Sequence, residues 1–526
     1  MAERFKNMLK HPFDERFLCN ILDLPPLSTE NEQFSGIFLA EHAIRDCVAF
    51  TLFRNEYYWS ATPIYSETQL TKLADVAIEK GAKLLVTTKQ IRDYPCLLTD
   101  AENLLNVYVR LISAYKGLYD VATVGVTGSR GKTTTTEFVQ FALNEKNDAF
   151  SSKDHINSWM DIDKCINSLE THHKYYVQEV QEGPTPGAAS LVSRMIKPDV
   201  AVITNIGTSH LEKMGSVGTI LDSCLGIQDG MSEDGLLVLN GDDELLTDAE
   251  TRLQKVYFGI NNKKADYRAE NIRMSANTIE FCISHNNKSI PAKINFIGEH
   301  NVYNALAAFA AGKHLGLTTE TLVRSIAGYK PRGIRQNLVE INERNLYLDC
   351  YNAAPESMIA ALKTLLGIPK KQSGGRHIAV LADMSQLGEQ TEQAHEQVGE
   401  FIRSSSLEML VCYGKHSLAI FETARQNKSI EAIFAENLDD VVDILKTKTA
   451  AGDIILVKGS RVMRLEQAVD MAFGTAFAEN KTTPEKIRIY SKDELAVMTA
   501  SERERIRDTI MHLPLKTRLT SAPGQM

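Results

Sequence analysis

The chain has 526 residues, is 43% hydrophobic and carries a formal net charge of −9. An acidic balance argues against nucleic acid as a partner, and the apolar fraction is that of a globular protein of about three domains. No run of about twenty apolar residues occurs, so no membrane span is expected. Eight scattered cysteines without a Cys-x-x-Cys pair suit a reducing compartment, not a zinc or disulfide framework. The charged start, MAERFKNMLKHPFDERF, lacks an apolar core, so a cytoplasmic location is expected.

Residues 1–118 read as a small α/β block. Phe34 to Ala40 and Lys83 to Thr87 have strand character, and Thr68 to Gly81 and Ala101 to Lys116 read as helices. No catalytic constellation stands out there, so binding or packing is its expected role.

The next block, 119–330, opens on VATVGVTGSRGKTTTT. Val121 to Val126 predicts a buried strand, and Phe138, Phe141 and Ala142 fall at helical spacing after it. Between them lie Gly128, Ser129, Arg130, Gly131, Lys132, Thr133 and Thr134. Glycines let the backbone turn its N–H groups onto an anion, and a helix start adds positive potential. Lys132 is then placed for the β- and γ-phosphates of a nucleotide, and the Thr133 hydroxyl for Mg²⁺. The strict phosphate-loop pattern fails by one residue, because Val126 stands where it asks for glycine. The bland alternative is a solvated turn with an exposed lysine.

Lys174 to Val180, Asp199 to Ile206, Gly235 to Asn240 and Lys255 to Gly259 are further strand candidates. Helices between them predict a largely parallel sheet, whose chemistry belongs at the strands' carboxyl ends. Glu179 and Asn205 occupy such ends, and His210 follows one loop later. With Thr133, Glu179 and His210 offer the few donors that Mg²⁺ takes beside water and phosphate. At 298–311 a helix opens on His300, with Asn301 and Asn304 one turn apart. These amides either cap the helix or face a purine or ribose.

In the third block, 331–476, strands at His377 to Asp383, Met409 to Gly414, Ala432 to Ala435 and Asp453 to Gly459 alternate with helices near 390–404, 416–427, 437–448 and 461–473. This pattern predicts a small doubly wound domain. Residues 477–526 read as an appended polar tail, partly helical near 492–512.

Six ordered stretches resemble the Mur ligase family, the ATP-dependent amide-bond ligases of peptidoglycan precursor synthesis. They are GVTGSRGKTTT (125–135), KPDVAVITNIGTSHLEKMGS (197–216), IGEHNVYNALAAFAAG (297–312), DCYNAAPESMIAAL (349–362), LADMSQLGEQTEQAHEQVGE (381–400) and DIILVKGSRVMRLE (453–466). The resemblance implies an α/β chain of three domains: an N-terminal one for a UDP-sugar, a central ATPase with a phosphate-loop-type parallel sheet, and a C-terminal Rossmann-like domain. It implies a carboxylate phosphorylated by ATP and then attacked by an amine, with Mg²⁺ as the metal. The default pair is a UDP-MurNAc-tripeptide and D-alanyl-D-alanine, joined by a monomer. Carried over, Lys132 and Thr133 hold phosphate and Mg²⁺, Glu179 and His210 ligate metal, and His300, Asn301 and Asn304 touch the nucleotide. Asp349 and Asn352 lie near the ribose, Arg335 takes a linker-arginine role on the phosphate, and Lys458 faces the cleft.

The sequence also departs from the family. Cys224 stands where the family has a carbamylated lysine that helps bind a second Mg²⁺, and Gly226 replaces a glutamate. Asp222 is the nearest carboxylate in sequence. Lys153 to Asn157 occupies the region of an expected Asn-Asn pair, and Ala354 replaces an asparagine. Arg130 in the loop resembles the poly-γ-glutamate synthase branch. Two other readings therefore stay open: a ligase of the same mechanism for another acid or amino acid, and a non-catalytic nucleotide-binding scaffold.

Overall fold

The computed structural model describes residues 13–25, 31–52, 67–100, 103–153, 156–208, 210–275, 277–331, 333–370, 374–385 and 387–477. The chain divides into two units, Met1–Thr475 and Ala476–Met526. The helix expected near 492–512 lies outside the described residues.

Three main sheets carry the first unit. Four parallel strands, Ile37–Leu39, Val48–Phe50, Leu84–Thr87 and Cys96–Leu98, form the N-terminal one. The strand predicted over Phe34 to Ala40 is two short ones. Gln33–Phe34 pairs with Phe13–Asp14, whereas Ile37–Leu39 pairs with Val48–Phe50, so the chain turns at Ser35 and Gly36 to serve two sheets. Asp163 binds this block to the next: it accepts the Leu39 N–H at 2.8 Å and lies 2.9 Å from His42 Nδ1.

The central sheet has nine strands. Its parallel part runs Tyr267–Met274, Gln254–Gly259, Leu236–Asn240, Val200–Ile203, Ala122–Thr127, Tyr175–Glu179 and Ala149–Ser151. Ile279–His285 and Lys288–Ile294 extend one edge antiparallel, a feature the sequence reading missed. Ala122–Thr127 is buried on both faces, which explains its continuous apolar run. It pairs with Tyr175–Glu179 on one side and Val200–Ile203 on the other. The chain builds to one side of it and then crosses to the other. Such a switch in strand order opens a crevice at the carboxyl ends, here beyond Thr127, Glu179 and Ile203. The alanine-rich helix His300–His314 packs on Lys132–Leu143, its small side chains allowing close approach beside Phe138 and Phe309.

The C-terminal sheet has six strands, in order Asn337–Ile341, Arg344–Asp349, Ile454–Lys458, His377–Ala382, Met409–Tyr413 and Glu431–Ala435. All but the first pair are parallel, with helices between them, as the alternation predicted. Among the described residues no helix is long and apolar enough to cross a membrane.

Candidate active site

The loop after Thr127 turns on two glycines with φ of +126° and +79°, Gly128 and Gly131. A Cβ on Gly128 would overlap the Thr204 hydroxyl, so neither backbone shape nor space admits a larger residue. Gly131 caps Lys132–Leu143 with no side-chain bond to the first turn, whose N–H groups thus point into the crevice. Asn205 holds the loop from the neighbouring strand end. Its Oδ1 accepts the Arg130 N–H at 3.1 Å and its Nδ2 donates to the Arg130 carbonyl at 3.0 Å. Thr204 Oγ1 donates to the same carbonyl at 2.6 Å. Ser129 Oγ accepts the Gly207 N–H at 2.8 Å.

Thr133 Oγ1 donates to Glu179 Oε2 at 2.7 Å, and the other Glu179 oxygen accepts Asn157 Nδ2 at 2.9 Å. The Lys153 to Asn157 stretch thus contributes an amide to the site; Asp154 and His155 lie outside the described residues. Lys132 Nζ lies 2.7 Å from Glu182 Oε2 and donates to the Gly128 carbonyl, also at 2.7 Å. Burial opposes the lysine's charge, but Glu182 and then Glu179 outweigh it and hold its pKa above the ordinary lysine value. His210, in a left-handed turn, has its pKa lowered by burial, partly countered by Glu182, which favours a neutral imidazole.

Glu182 is the residue that sequence reasoning missed. The only signal was a second carboxylate just past a strand end, three residues after Glu179. Cys224 is fully buried beside it, its thiol pushed up to about 12 by burial and then by Glu182. A neutral thiol is a poor partner for a hard cation. Asp222 is exposed. Two residues along a helix turn about 200°, so it points away from the side that Cys224 buries.

Asn301 and Asn304 direct their amides inward. Thr135 Oγ1 donates to Asn304 Oδ1 at 2.9 Å, Asn304 Nδ2 to Asn301 Oδ1 at 2.9 Å, and Asn301 Nδ2 to the Ile297 carbonyl at 2.9 Å. This chain of bonds ties the phosphate-loop helix to its neighbour. His300 lies 3.0 Å from Gln336 Oε1 and lines a 260 Å³ cavity with Gly298, Glu299, Ser275, Lys363 and Thr364. A larger hollow of 520 Å³ lies on the edge hairpin and includes none of the site residues.

From the C-terminal domain, Lys458 is 2% exposed, with Nζ 2.5 Å from Asp349 Oδ2 and 2.8 Å from the Asn352 carbonyl. The three expected cleft residues are therefore joined to one another, and His300 lies in the field of Asp349 and Lys458. The Arg335 guanidinium stacks 3.6 Å from the Tyr351 ring centre, and Tyr351 lies in the field of Glu179 as well. Arg130 Nη2 reaches Glu356 Oε1 at 2.9 Å.

Among the described residues no three His, Cys, Asp or Glu side chains converge on a preformed metal centre. The adjacent oxygens of Thr133 and Glu179 still match a cation that takes one or two protein ligands and completes its shell with water and phosphate.

Residues 126–312 match the Mur ligase middle domain, and 334–461 match the Mur ligase glutamate ligase domain. The chain is 31% identical over 403 residues to the UDP-N-acetylmuramoyl-tripeptide–D-alanyl-D-alanine ligase of Bacillus subtilis (strain 168), spanning 75% of this chain and 85% of that protein. Its identity to the ligase of the same name from Escherichia coli (strain K12) is 28%, over 75% and 86%. The fold is similar to MurF from Acinetobacter baumannii, with a TM-score of 0.73 at 22% identity over 89% of this chain and 100% of that one. It is also similar to MurF ligase from Thermotoga maritima in complex with ADP, with a TM-score of 0.69 at 22% identity over 85% and 98%.

Proposed function

The chain belongs to the Mur ligase family, and from that premise we propose that it joins D-alanyl-D-alanine to a UDP-N-acetylmuramoyl-tripeptide at the expense of ATP. The observation that carries this reading is the cradle itself: a glycine loop and helix start, a lysine aimed back into the loop, and a threonine hydroxyl 2.7 Å from a strand-end carboxylate.

In this reading a carboxylate oxygen of the tripeptide attacks the γ-phosphorus of ATP, and the bond to ADP breaks. The amine of the dipeptide then attacks the acyl carbon, the carbon–oxygen bond to phosphate breaks, and the ammonium proton is released. The products are an amide, ADP and phosphate. The loop N–H groups and Lys132 bind the phosphates and orient the γ-phosphorus. Thr133, Glu179 and His210 would hold Mg²⁺, which supplies neutralisation of the triphosphate charge. Asn205 and Thr204 fix the Arg130 peptide, and the inward chain from Thr135 to Asn301 fixes the helix whose first turn faces the phosphates. Arg335, stacked on Tyr351, brings a cation from the C-terminal domain. His300, which lines the 260 Å³ cavity, and Asp349, Asn352 and Lys458, which are joined to one another nearby, serve the nucleoside end. Closure of the domains keeps water from the acyl phosphate. On this reading the reaction runs in the cytoplasm, where ATP and nucleotide-linked precursors are supplied.

An oxygen-18 label tests the mechanism. Label in the tripeptide carboxylate should appear in the released phosphate, because that oxygen bridges carbon and phosphorus in the intermediate. Phosphate free of label would contradict it. The neutral Cys224 favours, as a second reading, the same chemistry on another acid or amino acid, and ADP release with other acid–amine pairs would distinguish the two.

A further inference from the structure

Glu182 has an unusual setting. It is 1% exposed, with Oε2 paired to Lys132 and Oε1 without a hydrogen-bond partner among the described residues. Buried carboxylate oxygens are rarely left in that state. The position is also held in place: Ser223 Oγ donates to the Glu182 carbonyl at 2.6 Å, from the helix that buries Cys224. Glu182 acts on Lys132, His210 and Cys224 alike, so it sits at the centre of the charges behind the phosphate loop.

Lys132 cannot fully serve two anions. A triphosphate in the cradle draws its ammonium onto phosphate oxygens, and further negative charge arrives at the same moment. Glu182 is then a buried carboxylate that has lost its paired cation, which is strongly unfavourable unless another cation takes over. The neighbouring thiol is neutral and supplies neither charge nor a hard ligand. Because no three acidic, histidine or cysteine side chains converge here among the described residues, nucleotide phosphate oxygens and water would complete the shell of a cation held there.

We propose that Glu182 exchanges Lys132 for a divalent cation when nucleotide binds, making it the protein ligand of a second Mg²⁺, separate from the ion at Thr133 and Glu179. This rests on the nucleotide reading of the loop given above. It makes the second ion conditional on the first ligand: nucleotide must arrive before the carboxylate is released.

Counting bound Mn²⁺ by electron paramagnetic resonance, with and without a non-hydrolysable ATP mimic, tests the exchange without relying on turnover. With the mimic, the wild-type chain should hold two Mn²⁺, and Glu182→Gln only one. Glu182→Asp keeps the charge with a shorter reach and should retain two, the second more weakly bound. Two ions at wild-type affinity in Glu182→Gln, or one in the wild type, would overturn the proposal while leaving nucleotide binding intact. If the Gln variant does not fold, the Asp variant decides: weaker binding of the second ion supports the exchange and unchanged binding overturns it. A wild-type chain that does not bind the mimic removes the nucleotide reading as well as the exchange.

Discussion

Arg130 of the phosphate loop and Glu356 of the C-terminal domain form an ion pair with 2.9 Å between Nη2 and Oε1. Glu356 stands in the first turn of the helix Pro355–Gly367, and Thr208 Oγ1 donates to the same oxygen at 3.4 Å. The pair therefore links the loop directly to the neighbouring domain. Both side chains are more than a third exposed, so the pair contributes at most about 1 kcal/mol to stability.

A nucleotide phosphate competes with Glu356 for Arg130. Glu356→Gln should leave the thermal midpoint nearly unchanged and tighten ADP binding by up to about fivefold, the worth of an exposed pair. Calorimetric titration checks this. Weaker binding in the variant would mean that Arg130 does not turn to the phosphate.

Lys132→Met leaves Glu182 buried and unpaired. The unliganded chain should lose about 3–5 kcal/mol in a urea unfolding series, and ligase activity should fall by at least about a hundredfold. Adding Glu182→Gln should restore most of the stability and none of the activity. A stable single variant would contradict the ion pair, and an active one the phosphate role.

The Thr135–Asn304–Asn301 chain serves to position the loop helix. Asn301→Ala strands buried partners and should cost about 1–3 kcal/mol, read as a lower unfolding midpoint. Unchanged stability with weakened nucleotide binding would instead place the Asn301 amide on the ligand.

Most parallel strands of the central and C-terminal domains were legible in the sequence because burial on both faces leaves continuous apolar runs, as at Ala122–Thr127 and Ile454–Lys458, whereas Ala149–Ser151 and Arg344–Asp349 were missed. The edge hairpins were not. Tyr267–Met274 and Lys288–Ile294 alternate buried and exposed positions, carry charge along their length and include Pro291, so composition alone reads as loop. At the site, the structure brings together residues with a local backbone signature, Gly128 to Thr133, Glu179 and Asn205. Glu182 was not legible, because its importance comes from a lysine fifty residues earlier in the chain and from burial. The sequence also offered Asn301 and Asn304 as groups for a ligand, since periodicity puts two residues on one face without saying what covers that face.

His395 is fully buried; its Nε2 accepts the Met384 N–H at 2.9 Å, and Nδ1 faces the Thr391 carbonyl at 2.6 Å. Burial lowers its pKa below 6.5, with Thr391 partly opposing the shift. The unfolded chain therefore takes up this proton first. Stability should be full above pH 6.5 and fall as pH drops below it towards the folded-state value. Unfolding midpoints at pH 7.5 and 5.5 should differ in that direction, and the difference should shrink in His395→Gln. An identical pH slope in the variant would assign the loss to other groups.

The family's chemistry couples ATP cleavage to amide formation. Mass spectrometry of the purified protein with ATP, Mg²⁺, UDP-N-acetylmuramoyl-tripeptide and D-alanyl-D-alanine addresses it most directly. A UDP-linked pentapeptide should form in step with ADP and phosphate, and none should form without ATP. No condensed product with this pair or with any other acid and amine, in a preparation that binds ATP, would contradict it.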